Sequence, residues 1–183
     1  MFIYKFKHYT LYLLLYVDDI IITGTSPTLL TTLISNLQTT FEVKDLGPLH
    51  YFLGLQLQYH DHGFSVHQTK YATDLLNRFN MFTCKPSSTP YFSVSRLTKT
   101  QGTALSDPTL FRSLVGALQY LTFTQPDLSF AVNQVCQFMH SPTDIHMVAT
   151  KRILRYLRGT LHCVFSFNLA FSLFKPMLML IGR

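Results

Sequence analysis

Residues 13–22 read LLLYVDDIII: two adjacent aspartates, Asp18 and Asp19, inside the most apolar run of a chain that holds only nine acidic residues. Residues 11–16 and 19–23 have the apolar, β-branched character of two short strands, which puts the aspartates at the tight turn between them. Two like charges ~4 Å apart at an effective dielectric near 20 repel by about 4 kcal/mol. Walls of Leu, Ile and Val add a desolvation cost for each carboxylate. A bound divalent cation removes both penalties. Oxygen ligands, few in number and leaving room for phosphate, suit Mg²⁺ better than Zn²⁺, and phosphoryl transfer commonly uses two such ions about 3.5–4 Å apart. The other reading is that Asp18 and Asp19 close a solvent-exposed hairpin, Asp being a good turn former. That explains one aspartate well but not the apolar walls.

Working outward, residues 2–6 form a further strand, joined to the hairpin by the polar KHYT. After it, Ser26-Pro27 is a helix start, an N-cap followed by Pro at the first position, with Leu29, Leu30, Leu33, Ile34 and Leu37 on one face and an end near Thr40. EVKDLGP is a turn marked by Gly47-Pro48. Residues 50–60, HYFLGLQLQYH, read as a strand with Leu53, Leu55, Leu57 and Tyr59 on one face, followed by a hairpin through HDHG to FSVHQ. Residues 70–79 have helical spacing. Residues 84–106, rich in Ser, Thr and Pro, read as a linker. Three helices follow, started by Asp107-Pro108, Gln125-Pro126 and Ser141-Pro142, the last stopped by Gly159. The expected fold class is α+β, antiparallel strands with a helix, followed by an all-helical region.

An apolar fraction of 48% over 183 residues is ample for a buried core. Lys and Arg total 15, the formal charge is +6 and the pI about 9.3, which fits a polyanionic partner without being specific for one. Cys84, Cys136 and Cys163 show no C-x-x-C spacing and read as reduced thiols of a cytosolic or nuclear protein. The N-terminal apolar run ends in Asp18-Asp19 with no small-residue cleavage site, so it is not a secretory signal. No stretch is convincing as a membrane span: residues 9–17 are about half the ~20 residues needed, and Asn168, Lys175 and Pro176 interrupt the apolar tail. The histidines have no metal-ligand spacing.

LLLYVDDIIITG resembles the Tyr-x-Asp-Asp hairpin of reverse transcriptases. FEVKDLGPLHYFLGLQL, QTKYATDLLNRFNM, CKPSSTP, FRSLVGALQYLTFTQPDLSFAVN and ATKRILRYLRGTLH resemble successive blocks of the copia-type retrotransposon polymerases in particular. The resemblance implies a partial polymerase palm with its YVDD hairpin over residues 1–83, a linker over 84–106, thumb- or connection-like helices over 107–160, and a strand and tail over 161–183. It implies RNA- and DNA-directed DNA synthesis with two Mg²⁺ ions, Mn²⁺ being the alternative, on an RNA or DNA template-primer with deoxynucleotides. Asp18 and Asp19 match the family's metal-site pair, Asp18 being the closer match to a direct ligand. Tyr16 and Val17 match positions near the primer end and the incoming nucleotide, and Leu53 and Gly54 resemble the turn that grips the primer. Lys44 lies where such polymerases keep a lysine for the leaving pyrophosphate, or it is a solvated charge beside Asp45. In LVGALQY, Gly116 and Tyr120 share a helical face and resemble the retroviral helix laid in the template-primer minor groove; the alternative is helix packing. Lys151, Arg155 and Arg158 form either a phosphate track or a solvated face.

Two departures from the family matter. Its fingers and the palm strand with another metal-binding aspartate precede the YVDD block, so the chain in isolation is expected to be inactive, with apolar palm surface exposed. The alternatives are a non-catalytic nucleic-acid-binding remnant and a decayed element with no biochemical role. At the far end the family continues with a segment like KAYADADWA, for which one choice of codons, read in a neighbouring frame, spells KPMLMLIGR, residues 175–183; the tail is expected to be a frameshifted, non-native stretch.

Overall fold

The computed structural model describes residues 1–6, 8–61, 63–91, 97–162, 165–168 and 179–182. They form two compact units, one of residues 1–53, 57–65 and 167–183, the other of residues 54–56 and 66–166. The architecture is α+β, two small antiparallel sheets followed by an all-helical region.

In the first unit the strands β1 (Phe2–Phe6), β2 (Tyr9–Tyr16) and β3 (Asp19–Gly24) run antiparallel, with Phe2 opposite Leu13 and Leu13 opposite Ile22. Helix α1 (Pro27–Thr40) begins where the sequence indicates: Ser26 caps it by accepting from the Leu29 N–H at 3.4 Å. It buries Leu30 and Ile34 against Leu11 and Ile22. EVKDLGP is not simply a turn: Lys44–Pro48 is a strand, β4. What the local sequence could not show is its partner, since β4 pairs with Met179–Gly182 at the far end of the chain. Pro48 is tolerated because β4 is an edge strand, the last in its sheet and paired on one side only.

Residues 50–60 are likewise not one strand. Leu53 and Gly54 both have positive φ, 49° and 79°, and turn the chain between β5 (Tyr51–Phe52) and β6 (Leu55–His60). Two successive left-handed residues make the primed turn that matches strand twist. A second sheet follows the order β5-β6-β7-β8, with β7 at Gly63–His67 and β8 at Phe165–Asn168; the fifth strand of the first sheet, Met179–Gly182, is β9. Residues 169–178 of the tail lie outside the described residues.

The second unit packs α2 (Thr69–Arg78), α3 (Pro108–Leu121), α4 (Ser129–Cys136) and α5 (Asp144–Gly159) around one core that includes Leu76, Phe111, Leu118, Val132 and Leu154. Asp107 caps α3 by accepting from the Thr109 N–H at 2.8 Å. The Gln125-Pro126 signal starts a 3₁₀ turn, Pro126–Leu128, that leads into α4. The last helix starts two residues later than Ser141-Pro142 indicates, because Thr143 and His146 form a reciprocal capping box. Residues 84–91 and 97–106, parts of the stretch read as a linker, lie within this unit. Cys84 and Cys136 are free thiols, and Cys163 lies outside the described residues. Among the described residues no helix is long and apolar enough to cross a membrane.

Candidate functional site

Tyr16 pairs with Asp19, which leaves Val17 and Asp18 as a two-residue hairpin loop. Val17 sits at φ 53° and is 88% exposed. A β-branched residue at positive φ is a backbone outlier, and such strain persists only where the surroundings impose it. Asp18 is exposed and Asp19 half-buried. The apolar walls expected to desolvate the pair are themselves open, Leu14 and Leu15 being 38% and 50% exposed, so the cost of burying the two carboxylates is smaller than the sequence implied. Tyr16 meets Phe52 edge-on, ring centres 6.0 Å apart. Beside Asp18 an open hollow of about 1040 Å³ is lined by Phe2, Leu15, Val17, Leu37 and Phe41.

Whether this pair could hold metal turns on its neighbours. One side of β3 is taken by β2 and the other by β9, whose residues Met179–Gly182 contribute no carboxylate. Among the described residues no group of three or more His, Cys, Asp or Glu comes together. Mg²⁺ seeks near-octahedral oxygen coordination and gives up water reluctantly, so Asp18 and Asp19 alone do not fit a pair of such ions. Lys44 joins the same surface: the β3–β9 register carried one residue further puts Gly182 opposite Asp19, and Gly182 is opposite Lys44. Tyr16, Asp19 and Lys44 thus fall in one cross-strand row, Asp19 and Lys44 two strand spacings, ~10 Å, apart with only a glycine between them.

Separate sequence expectations also converge within the second unit. A Cβ on Gly54 would lie 3.3 Å from the Tyr120 hydroxyl, so the phenol closes directly on the turn. Tyr120 is packed edge-on to Tyr71 at 5.0 Å and to Phe123 at 6.0 Å. Burial pushes the Tyr71 hydroxyl pKa up, Tyr120 beside it adds to the rise, and Arg78 opposes it. Gly116 does not serve helix packing, since a Cβ there would meet nothing within 4 Å.

The basic face of α5 is partly occupied. Arg158 Nε donates to the Phe82 carbonyl at 2.6 Å, and its guanidinium lies 5.0 Å from the centre of the Phe82 ring. Arg155 Nε donates to the Lys85 carbonyl at 2.9 Å, and Arg152 Nη2 to the Thr89 hydroxyl at 2.7 Å. Residues 82–89 are therefore laid along α5 by arginines spaced three apart, while Lys151 is exposed. Arg152 is the member of this ladder that the sequence reading missed; the repeat of arginine every three residues was the signal available.

Residues 1–93 match the family described as Reverse transcriptase (RNA-dependent DNA polymerase). The chain is 55% identical over 152 residues to an uncharacterized mitochondrial protein of Arabidopsis thaliana, covering 82% of this chain and 62% of that protein. It is 53% identical over 149 residues to the retrovirus-related Pol polyprotein from transposon RE1 of the same plant, covering 81% of this chain and 10% of the polyprotein. To the corresponding polyprotein from transposon TNT 1-94 of Nicotiana tabacum it is 38% identical over 159 residues, 81% of this chain and 12% of that one. The chain thus spans less than two thirds of each of these relatives. No solved structure matches it.

Proposed function

Because the chain belongs to the reverse transcriptase (RNA-dependent DNA polymerase) family of copia-type retrotransposons, we propose that it supplies the YVDD hairpin and the helices after it to a template-directed nucleotidyl transferase. The observation that carries this reading is the Tyr16–Asp19 pair, which closes a strained two-residue loop on the two carboxylates. In this reading Asp18 and Asp19 are the family's metal ligands, Tyr16 and Val17 border the primer end and incoming nucleotide, and Lys44 stands in the same row as a proton donor to pyrophosphate. Leu53 and Gly54 form the primer-gripping turn, and Gly116 and Tyr120 face the template-primer minor groove. Lys151, with the remaining N–H groups of Arg155 and Arg158, meets phosphates.

Half a cage binds Mg²⁺ poorly, so these 183 residues on their own are inactive and need a further carboxylate brought beside Asp19. The test is primer extension on a primed template in Mg²⁺. The chain alone gives none, and adding a polypeptide with the stretch of the RE1 Pol polyprotein that precedes the matched region restores it, unless Asp18 is replaced (Asp18→Asn). Mg²⁺-dependent extension by the chain alone, abolished by Asp18→Asn, would overturn the proposed inactivity.

A non-catalytic nucleic-acid-binding role is the second reading, favoured by the open backbone at Gly116. Duplex affinity that falls steeply with salt while no extension is recovered supports it.

A further inference from the structure

We infer that Thr89 is a phosphorylation site, with Arg152 as the group that receives its phosphate. The phosphoryl donor is a nucleoside triphosphate, delivered by a protein kinase that requires proline after the acceptor residue. The inference is independent of the polymerase reading, since it needs neither the YVDD hairpin nor a bound nucleic acid.

Three Ser-Pro or Thr-Pro pairs occur in the chain: Ser26-Pro27, Thr89-Pro90 and Ser141-Pro142. Ser26 is buried and spends its hydroxyl as the cap of α1. Thr89 is exposed and lies outside any helix or strand. Of the three hydroxyls, it is the one that an arginine reaches among the described residues. A residue followed by proline is held to extended backbone, a shape that lets the chain lie along a cleft.

The segment that carries Thr89 is fixed to α5 through its backbone. The Ser87 N–H donates to the Arg155 carbonyl at 3.1 Å, and Arg155 and Arg158 donate to the carbonyls of Lys85 and Phe82. Gly159 lets this segment come close, since a Cβ there would lie 3.2 Å from Pro86. A group added at Thr89, two residues further on, therefore stays beside the helix.

At that point Arg152 Nη2 donates to Thr89 Oγ1 at 2.7 Å, and the Thr89 O–H donates to the Tyr91 carbonyl at 3.2 Å. In the transfer, Oγ1 attacks the γ-phosphorus, the bond to the bridging oxygen breaks, the diphosphate leaves and the hydroxyl proton passes to the kinase. The bond to Tyr91 is lost. In return a dianion is set one O–P–O span from a guanidinium, the charge-assisted pairing for which arginine is best shaped. Arg155 is three residues along the same helix face, and Lys85 and Lys151 are exposed on the two elements. No acid opposes these charges from either element: residues 82–91 contain no Asp or Glu, and in α5 the one acid is Asp144, two turns before Arg152.

The experiment treats the full chain with ATP and a proline-directed kinase. Mass spectrometry locates the phosphate, ³¹P NMR follows its titration in the folded and the urea-unfolded chain, and thermal unfolding is measured at low and high salt. The expected result is one phosphate on Thr89, absent from Thr89→Val. Its second pKa, ordinarily about 6, is lowered in the folded chain relative to the unfolded one. Phosphorylation raises Tm by about 2–4 °C at low salt and less at high salt. Both effects disappear in Arg152→Gln. A phosphate on Ser87 or Ser88 instead, or none at all, overturns the site. A phosphate on Thr89 that titrates alike in the folded and unfolded wild-type chain overturns the role of Arg152, and that comparison holds even should the glutamine variant fail to fold.

Discussion

The helical unit and the strand unit solve the problem of burial differently. Among the described residues the helical core joins sixteen buried residues from four helices and the segments between them, whereas the cluster under the YVDD hairpin joins only Leu11, Ile22, Leu30 and Ile34. Most of the exposed large apolar side chains, Phe2, Ile3, Tyr4, Leu15, Tyr16, Val17 and Phe41 among them, belong to the strand unit. The helical unit holds itself together; the strand unit carries apolar area open to a further partner or to self-association. Phe2, Leu15, Val17 and Phe41 among them also line the hollow beside Asp18, so the candidate site lies within the uncovered surface.

The sharpest way to break this contrast is to truncate a side chain on each side of it. Phe111 is fully buried in the helical core, so Phe111→Ala costs about 3–5 kcal/mol. Leu15, half exposed, costs within about 0.5 kcal/mol on the same change. Urea unfolding, with exchange of the α4 amides as a local probe, measures both. Equal losses would mean that the strand unit has a core of its own.

The helical unit was also the more legible in sequence, for the same physical reason. Its start signals are local: Asp107 and Pro108 lie next to each other and need no distant partner. The strand unit depends on pairings far apart in the chain. Nothing within EVKDLGP announces a strand whose neighbour is Met179–Gly182, and the alternation in HYFLGLQLQYH runs through Leu53, so that only the resemblance to the turn that grips the primer indicates the break there. The hairpin itself was legible because adjacent aspartates between apolar strands are rare; the exposure of its walls was not, since exposure depends on what covers them. At the basic stripe, sequence spacing found Arg155 and Arg158 but could not show that their Nε groups bind the carbonyls of Lys85 and Phe82.

The two strained turns give a smaller effect and sharpen the contrast from the backbone side. Gly54 has φ 79° and its absent Cβ faces the Tyr120 hydroxyl, so Gly54→Ala costs about 1–3 kcal/mol through backbone strain and displacement of that ring. Val17 is the opposite case. It pays for a left-handed conformation with nothing packed on it, and Val17→Gly removes about 1–2 kcal/mol of strain against about 0.5–1 kcal/mol of added chain entropy. The expected net gain is a fraction of a kcal/mol, read as a small rise in Tm. A loss instead would show that the Val17 side chain is held by contacts that the open hairpin lacks.

The smallest effect appears only with acid, and it belongs to the helical unit. His146 is fully buried, stacked on Phe138 with ring centres 3.9 Å apart. Its Nδ1 accepts the Thr143 N–H at 3.0 Å, and its Nε2 lies 3.2 Å from the Thr98 carbonyl, an arrangement that suits the neutral ring with its proton on Nε2. Burial pushes its pKa below the ordinary value; the bond to Thr98 and the charge of Asp144 oppose that shift and are outweighed. Below about pH 6.5 the unfolded chain takes up a proton that the folded one resists, so the His146 contribution is complete above that pH and is lost as pH falls from there through the lowered folded value. A charged ring would also carry a proton on Nδ1, facing the Thr143 donor, and would undo the capping box. His146→Gln keeps an acceptor at that position, Gln being a usual partner of Thr in this box, and removes the titration. The expected result is a Tm that declines as pH falls below about 6.5 in the wild type and declines less in the glutamine variant, the difference between the two isolating this one ring from every other titrating group. Parallel profiles would show that acid reaches the helical unit through some other group.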